Sequence, residues 1–179
     1  MGAVLVSLLT TFPVYKTRSA QLLNDPIIQA LRVKTHNPIS SIPPNLKDIR
    51  RYGGDASHID KLELRLTLPI LGWLSGTGGW TVIVWNHLSA LGAFYLLARL
   101  ASKAIGDTVG GGLFVLGIGP TFFGSWFFND FHFGDGVGFF FLLLSIACRN
   151  PVVSCCSFIA AAFCDERCVI GVPLLFLFS

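Results

Sequence analysis

Residues 80–98 read WTVIVWNHLSALGAFYLLA, and the class of the whole chain turns on them. The run carries no formal charge, and at 1.5 Å per helical residue its length of about 19 residues matches the hydrocarbon thickness of a bilayer. Trp80 and Tyr95 stand toward its ends, where amphipathic rings favour the membrane–water interface, and Arg99 and Lys103 follow just beyond. The expectation is a membrane-spanning helix that ends in a cytoplasmic turn at those two cations. Asn86 and His87 lie inside the run, where polar groups face protein rather than lipid. Two roles stay open for them, interhelical hydrogen bonding and contact with a substrate or a proton.

The rest of the chain has the same character. Of its 179 residues 53% are hydrophobic and only 13% charged, with a mean hydropathy of +0.65. A soluble domain carries about a quarter of its residues as charges to cover itself. The fold class expected is therefore all-α, a polytopic transmembrane bundle of about five to six apolar helices. It implies a multi-pass protein of the plasma or inner membrane, with lipid and other membrane helices as partners. The net charge of +3 is spread among apolar runs, which excludes the clustered, aromatic-interleaved footprint of a nucleic-acid binder. Cys148, Cys155, Cys156, Cys164 and Cys168 lie in or beside apolar runs, where cysteine packs as a small hydrophobe. Cys164 and Cys168, four apart, have the spacing of ligands on one helix face, but no neighbouring His or second Cys pair completes a zinc site.

Toward the N-terminus the pattern divides into three. Residues 1–15 read as a weak first transmembrane helix, because the apolar run 3–15 is short for a crossing and no basic segment precedes it. Residues 16–65 are polar and broken by Pro26, Pro38, Pro43 and Pro44, so they form a loop outside the hydrocarbon. Within it the segment 25–31 has the pattern of a short interfacial helix, with Asn24 or Asp25 as cap and Pro26 in first position. Residues 66–179 form the transmembrane helical region. Its first piece, 66–74, is too short to cross comfortably and runs into the glycine-rich break 75–79.

Beyond the central span, residues 110–128 form a second one, with Pro120 as a kink. Gly110, Gly117 and Gly124 recur every seven residues, a stripe on which another helix can approach closely. Three shorter apolar runs follow, 136–148, 152–163 and 169–178, separated by Arg149-Asn150-Pro151 and Asp165-Glu166-Arg167. With Arg99, Lys103 and Arg149 in the cytoplasm, the loops 129–135 and 165–167 share the opposite face. Whether the polar loop 16–65 is cytoplasmic or extracytoplasmic stays open.

Chemistry concentrates in those two loops. Asp130, His132 and Asp135 fall within six residues, and Asp165, Glu166 and Arg167 are consecutive. Ionisable groups at the mouths of apolar helices are expensive unless hydrated, paired or used. Two carboxylates and a histidine can bind a divalent cation through oxygen, or supply a general base to an acceptor hydroxyl. The alternative is a solvated turn in which Asn129 and Asp130 cap one helix and Asp135 the next, with Asp165-Glu166-Arg167 serving as an N-cap plus a local ion pair. His58, Lys61 and Arg65 precede the 66–74 run and either snorkel or meet an anionic headgroup or lipid-linked phosphate.

Three stretches carry a resemblance: Lys61-Leu62-Glu63-Leu64-Arg65-Leu66-Thr67-Leu68-Pro69-Ile70-Leu71 before a span, Trp126-Phe127-Phe128-Asn129-Asp130-Phe131 closing a glycine-rich helix, and Ala160-Ala161-Ala162-Phe163-Cys164-Asp165-Glu166. Together they resemble the N-terminal part of the polytopic GT-C-type glycosyltransferases and their uncharacterised bacterial relatives, over residues 61–178. The resemblance implies transfer of a sugar from a polyprenyl-phosphate donor on the extracytoplasmic side, with loop acids as base or metal ligand. Asp130, Asp135, Asp165 and Glu166 are then the catalytic candidates, and His132, Arg167 and Arg65 the substrate-binding ones. The cofactor and the metal dependence stay open. No acid of the earlier segment, among Asp25, Asp55 and Asp60, sits in a matching motif. The family's chains hold many more helices, so a fragment or degenerate copy is expected. A non-enzymatic membrane protein, a transporter part or a subunit of a membrane complex, is the other reading.

Overall fold

The computed structural model describes residues 26–43, 61, 63–118, 134–171 and 173. All regular structure among these residues is helical. Helix α1 spans Pro26–His36, α2 Thr67–Ser75, α3 Thr81–Ile105, α4 Thr108–Ile118, α5 Asp135–Ala147 and α6 Pro151–Ala162. Short 3-10 turns, η1 at Gly78–Trp80 and η2 at Glu166–Gly171, precede α3 and follow α6. The expected helix of residues 1–15, the stripe position Gly124, the kink at Pro120, and His58, Asp130 and His132 lie outside the described residues.

Helix α3 has 25 residues, about 37 Å at 1.5 Å each, and continues past Ala98 until Gly106 at φ 78 ends it. Arg99 and Lys103 therefore lie on its last turns, not beyond them as expected. It is the one described helix both long and apolar enough to cross a membrane. Helices α4, α5 and α6 are apolar but have 11, 13 and 12 residues. At about 18–20 Å, α5 and α6 fall short of a bilayer core; of the expected span 110–128 only the part up to Ile118 lies within the described residues.

Local chemistry sets the ends of these shorter helices. The Asp107 carboxylate accepts from the backbone N–H of Val109 (3.2 Å) and Gly110 (2.6 Å), opening α4. The Asn150 side chain accepts from Val152 N (2.9 Å) and Val153 N (3.3 Å), with Pro151 in the first helical position, so the 149–151 break is also the start of α6. Helix α3 packs against α4 on one flank and α5 on the other, and α6 packs on α5. Ser154 Oγ donates to Ser145 O (2.7 Å), tying the α5–α6 hairpin.

Close approach of α3 and α4 depends on Gly111. A Cβ there would lie 2.6 Å from the backbone nitrogen of Ser102. Of the expected stripe Gly110, Gly117 and Gly124, a Cβ at Gly110 would lie 3.2 Å from Ile105 Cγ2 at the end of α3, and one at Gly117 would meet nothing within 4 Å among the described residues. The close backbone approach to α3 is therefore made by Gly111, which the seven-residue count passes over. Gly92 lets α5 lie against α3 in the same way, where a Cβ would meet the Phe140 ring at 2.5 Å.

The segment expected as a polar loop contributes to the core. Ile28, Ala30 and Leu31 of α1 and Ile42 are buried in one cluster with Leu68, Val82, Val137 and Cys164. Lys34 of α1 is 2% exposed and its Nζ donates to the Glu63 carbonyl (2.9 Å). Burial holds the Lys34 amine below its ordinary pKa, against the pull of the Glu63 charge. Thus α1 buries one face against α2 and η1.

A candidate site where three chain segments meet

The start of α2, the start of α5 and the end of α6 converge at one end of the helical row. Thr67 makes the first join, its Oγ1 donating to Ala160 O (2.6 Å) and its N–H to Phe163 O (3.5 Å). Gly134 makes the second. At φ 71 it turns the chain into α5, and its carbonyl accepts from the buried Cys164 thiol (3.2 Å). Gly138 packs beside the same join, where a Cβ would sit 3.4 Å from both Cys164 Cβ and Cys168 Sγ, in ordinary van der Waals contact.

These joins bring together residues far apart in sequence. Arg65 extends inward from the segment before α2 and is only 8% exposed. Its Nη1 lies 3.8 Å from Asp135 Oδ1, and its Nη2 lies 3.5 Å from Asp165 Oδ1 and 3.0 Å from Glu166 Oε2. Arg167 reaches back with Nη2 at 2.6 Å from both Asp135 Oδ2 and Asp165 Oδ2. Its Nε donates to both oxygens of Asp165, and its backbone N–H donates to Asp165 Oδ1 (3.0 Å). Lys61 stands on the rim, 3.8 Å from Glu166 Oε1. Asp135 and Asp165 are each 1% exposed, while Lys61, Glu166 and Arg167 face outward.

Asp135 opens α5 as its first helical residue, but its side chain does not cap the helix, whose N-cap is Gly134. The simple capping role considered for it is thereby replaced by a role in the charge cluster. Asp165 does form the local ion pair with Arg167, and the same pair is also bound into contacts with Asp135 and Arg65. Arg65 does not snorkel outward; it is buried between carboxylates.

Burial and the neighbouring Asp165 charge push the Asp135 carboxyl above its ordinary pKa, outweighing Arg167 and Arg65. For Asp165 burial pushes the same way, but the hydrogen bonds and charge of Arg167, helped by Arg65, hold it below the usual range. Two carboxylates within about 5 Å of each other thus have opposite tendencies, the pattern expected where one oxygen pair is saturated and the other is not. Glu166 is held low by its own backbone hydrogen bond and by Arg65, against slight burial. The thiols beside them are raised by burial, Cys168 to about 12 and Cys164 further, so both stay protonated packing groups.

Two buried atoms in the cluster have no hydrogen-bond partner among the described residues: Asp135 Oδ1, whose ion-pair contact is Arg65 Nη1 at 3.8 Å, and Arg65 Nε. Among the described residues no group of three or more His, Cys, Asp or Glu side chains is arranged to hold a metal ion. Of the residues singled out from sequence, the structure brings Asp135, Asp165, Glu166, Arg65 and Arg167 together. Of the residues that hold them there, Cys164 was read only as a packing cysteine, and Thr67, Gly134 and Gly138 were given no role; the Gly134–Gly138 spacing, one helical turn, was the available signal. No family model matches the chain, and neither the curated proteins nor the solved structures compared with it contain a match.

Proposed function

We propose that the chain is an integral membrane protein with several membrane-embedded helices, and that its charge cluster belongs to a lipid-linked-sugar glycosyltransferase of which this is a part. The observation that carries the proposal is Asp135, a sealed carboxylate with one oxygen unsatisfied and a raised pKa, set beside an ionised Asp165. A general base needs that combination of a proton affinity shifted toward neutrality and a lone pair directed at a reactant. Arg167 and Lys61 at the rim supply charge for a donor phosphate, and Arg65 and Asp165 hold Asp135 in place. Asp130 and His132 precede Asp135 by five and three residues and remain candidates for the same mouth.

The membrane part rests on the length of α3 and on its exposed face: beside Val82, Ala90, Ala93, Phe94 and Leu96 the helix buries Thr81, Asn86 and Ser89, while Val84, Leu88, Leu91 and Tyr95 are exposed. Large apolar side chains on an outer face suit lipid as solvent. A soluble amphipathic helix turns a polar face outward.

Reconstitution of the chain into liposomes with a labelled polyprenyl-phosphate hexose and a membrane extract as acceptor source tests the proposal. Sugar release by the wild-type chain and a loss of about 100-fold or more in Asp135→Asn are expected. Equal release from both proteins would refute the transferase reading. A second reading, a non-enzymatic subunit of a membrane complex, is favoured by the way Arg65 and Arg167 clamp three chain segments with every carboxylate engaged. It predicts no release from the wild-type chain, and loss of helix packing when either arginine is removed.

A further inference from the structure

Helix α2 stays at one end of the helical row along its whole length. Its first residue, Thr67, bonds Ala160 and Phe163 at the end of α6. Leu68 lies against the start of α5, where a Cβ at Gly134 would be 3.1 Å from Leu68 Cδ2. Further along, a Cβ at Gly72 would be 2.7 Å from Thr81 Cγ2 in the first turn of α3, and Ser75 Oγ accepts from the Trp85 indole N–H (3.1 Å). Thr81 and Trp85 are only about 6 Å apart along the α3 axis. Val82, Val137 and Cys164 share one buried cluster with Leu68, so the start of α3, the start of α5 and the end of α6 form a single end of the row. Helix α2 therefore lies across that end and does not run down the bundle, and its 9 residues are too few to cross a bilayer.

The outward face of α2 is apolar. Leu68 and Gly72 turn inward and are buried, while Ile70, Trp73 and Leu74, three and four apart, are exposed. Trp80 in η1 is exposed as well, and Trp73 and Trp80 stand out at 57% and 60%. No charged residue occurs from Thr67 to Trp80. A helix that caps a protein in water turns charged or polar residues outward. Just before α2 the character changes, because Arg65 belongs to the charge cluster and Lys61, Glu166 and Arg167 on its rim are each about half exposed. An apolar, tryptophan-bearing face bordered by charged groups matches the gradient of the membrane–water interface, where an indole ring lies among acyl chains and its N–H meets ester carbonyls and water.

We infer that α2 and η1 form a ledge lying in the interfacial layer of a bilayer, with Trp73 and Trp80 at the depth of the lipid ester groups and the charged rim facing the headgroups. The partner of this face is the lipid surface. Apolar exposure continues from the ledge onto Val84, Leu88 and Leu91 of α3, with no charged residue between Leu66 and Ala98, so one solvent covers both. The ledge rests on the membrane reading proposed above and not on the transferase one. It sets the rim cations Lys61 and Arg167 at the level of lipid phosphates.

Depth-dependent fluorescence quenching tests the ledge in the full chain, reconstituted in phosphatidylcholine liposomes brominated either near the ester end of the acyl chains or near their middle. The chain has four tryptophans, so Trp73 is kept while Trp80, Trp85 and Trp126 are changed to Phe. A reference has all four changed and carries Leu91→Trp, which lies about 15 Å along α3 from Thr81, near the midplane of a core about 30 Å thick. Shallow bromines are expected to quench Trp73 at least about twofold more than deep ones, and the order is expected to reverse for Leu91→Trp. Stronger quenching of Trp73 by deep bromines would place α2 in the hydrocarbon and overturn the ledge. Quenching of the reference but not of Trp73 would also overturn it, with water or a second copy of the chain covering α2, and would spare the membrane reading. No quenching of either would end the membrane reading and the ledge with it. Should these variants not fold, Trp73→Phe in the otherwise unchanged chain decides: the shallow-quenched share of the emission is expected to fall, and an unchanged share overturns the inference.

Discussion

Replacing Arg65 with Met keeps most of the stem volume and removes only the guanidinium, so it isolates the charge at the centre of the cluster. Two of its contacts are to carboxylates 1% exposed, Asp135 Oδ1 at 3.8 Å and Asp165 Oδ1 at 3.5 Å. At an effective dielectric constant of 20 each such pair is worth about 4 kcal/mol before solvation is counted. Desolvation of a guanidinium this buried returns several kcal/mol of that attraction. The third contact, to the half-exposed Glu166, adds less than about 1 kcal/mol. Arg167 still holds both aspartates in the variant, and Asp135 can also relieve the strain by taking up a proton. The expected net loss is therefore about 3 kcal/mol at neutral pH, the lower edge of what breaking a buried ion pair costs. Denaturant titration in mixed micelles followed by tryptophan fluorescence measures it. Lys61→Met, which removes a partly exposed rim contact, is expected to change stability by less than about 0.5 kcal/mol in the same assay. A loss below 1 kcal/mol for Arg65→Met would show that water reaches the carboxylates, and the account of a sealed cluster would fail.

The two aspartates should respond to pH in opposite senses. Asp165 has a folded pKa below its unfolded one, so its stabilisation is fully present above about pH 4 and disappears as pH falls through the folded value. Asp135 has a folded pKa above its unfolded one, so it favours folding most in acid and progressively less as pH rises from about 4 until the folded carboxyl has ionised. Stability curves of Asp135→Asn and Asp165→Asn against wild type between pH 3 and 8 measure both, and slopes of the same sign would contradict the assigned environments. Helix packing gives a separate test. Gly111→Leu should cost about 3 kcal/mol or prevent folding, because its Cβ would meet the Ser102 backbone, while Gly117→Leu should fall within about 0.5 kcal/mol of wild type. Equal effects at the two positions, read by thermal aggregation in detergent, would mean that α4 packs on a different face.

How much of this was legible in sequence depended on the kind of signal. Composition and run length led to an all-helical reading, and Gly76, Asp107 and Asn150-Pro151 sit where local rules place helix ends. The end of α3 was missed because Arg99 and Lys103 read as a stop, although long cationic side chains are good helix formers and continue a helix readily. A stop needs a residue that leaves helical geometry, and that residue is Gly106 at φ 78. The glycine stripe missed Gly111 for a related reason. Spacing of seven names a face of a helix, but three consecutive glycines, Gly110, Gly111 and Gly112, cover most of the circumference of α4. Only the neighbour decides which one is used, and the neighbour is the Ser102 backbone of α3.

The site shows the same division between local and long-range information. Asp165-Glu166-Arg167 announces a local ion pair, because its members are consecutive and both ends can reach. Nothing in the chain near Arg65 announces that its partners are Asp165 and Glu166, about a hundred residues away, or that Asp135 closes the group. That meeting is produced by neutral residues: Thr67 bonding Ala160, Cys164 bonding Gly134, and Gly138 admitting the two thiols. The logic also runs backward. A buried set of two acids and one arginine, Asp135, Asp165 and Arg65, is less stabilising than an apolar core of the same volume, so its presence at a convergence of three segments argues for use. The atoms left unpaired inside it, Asp135 Oδ1 and Arg65 Nε, show where that use would fall. A purely structural clamp has every reason to pair its buried groups, and these two are the ones it leaves open.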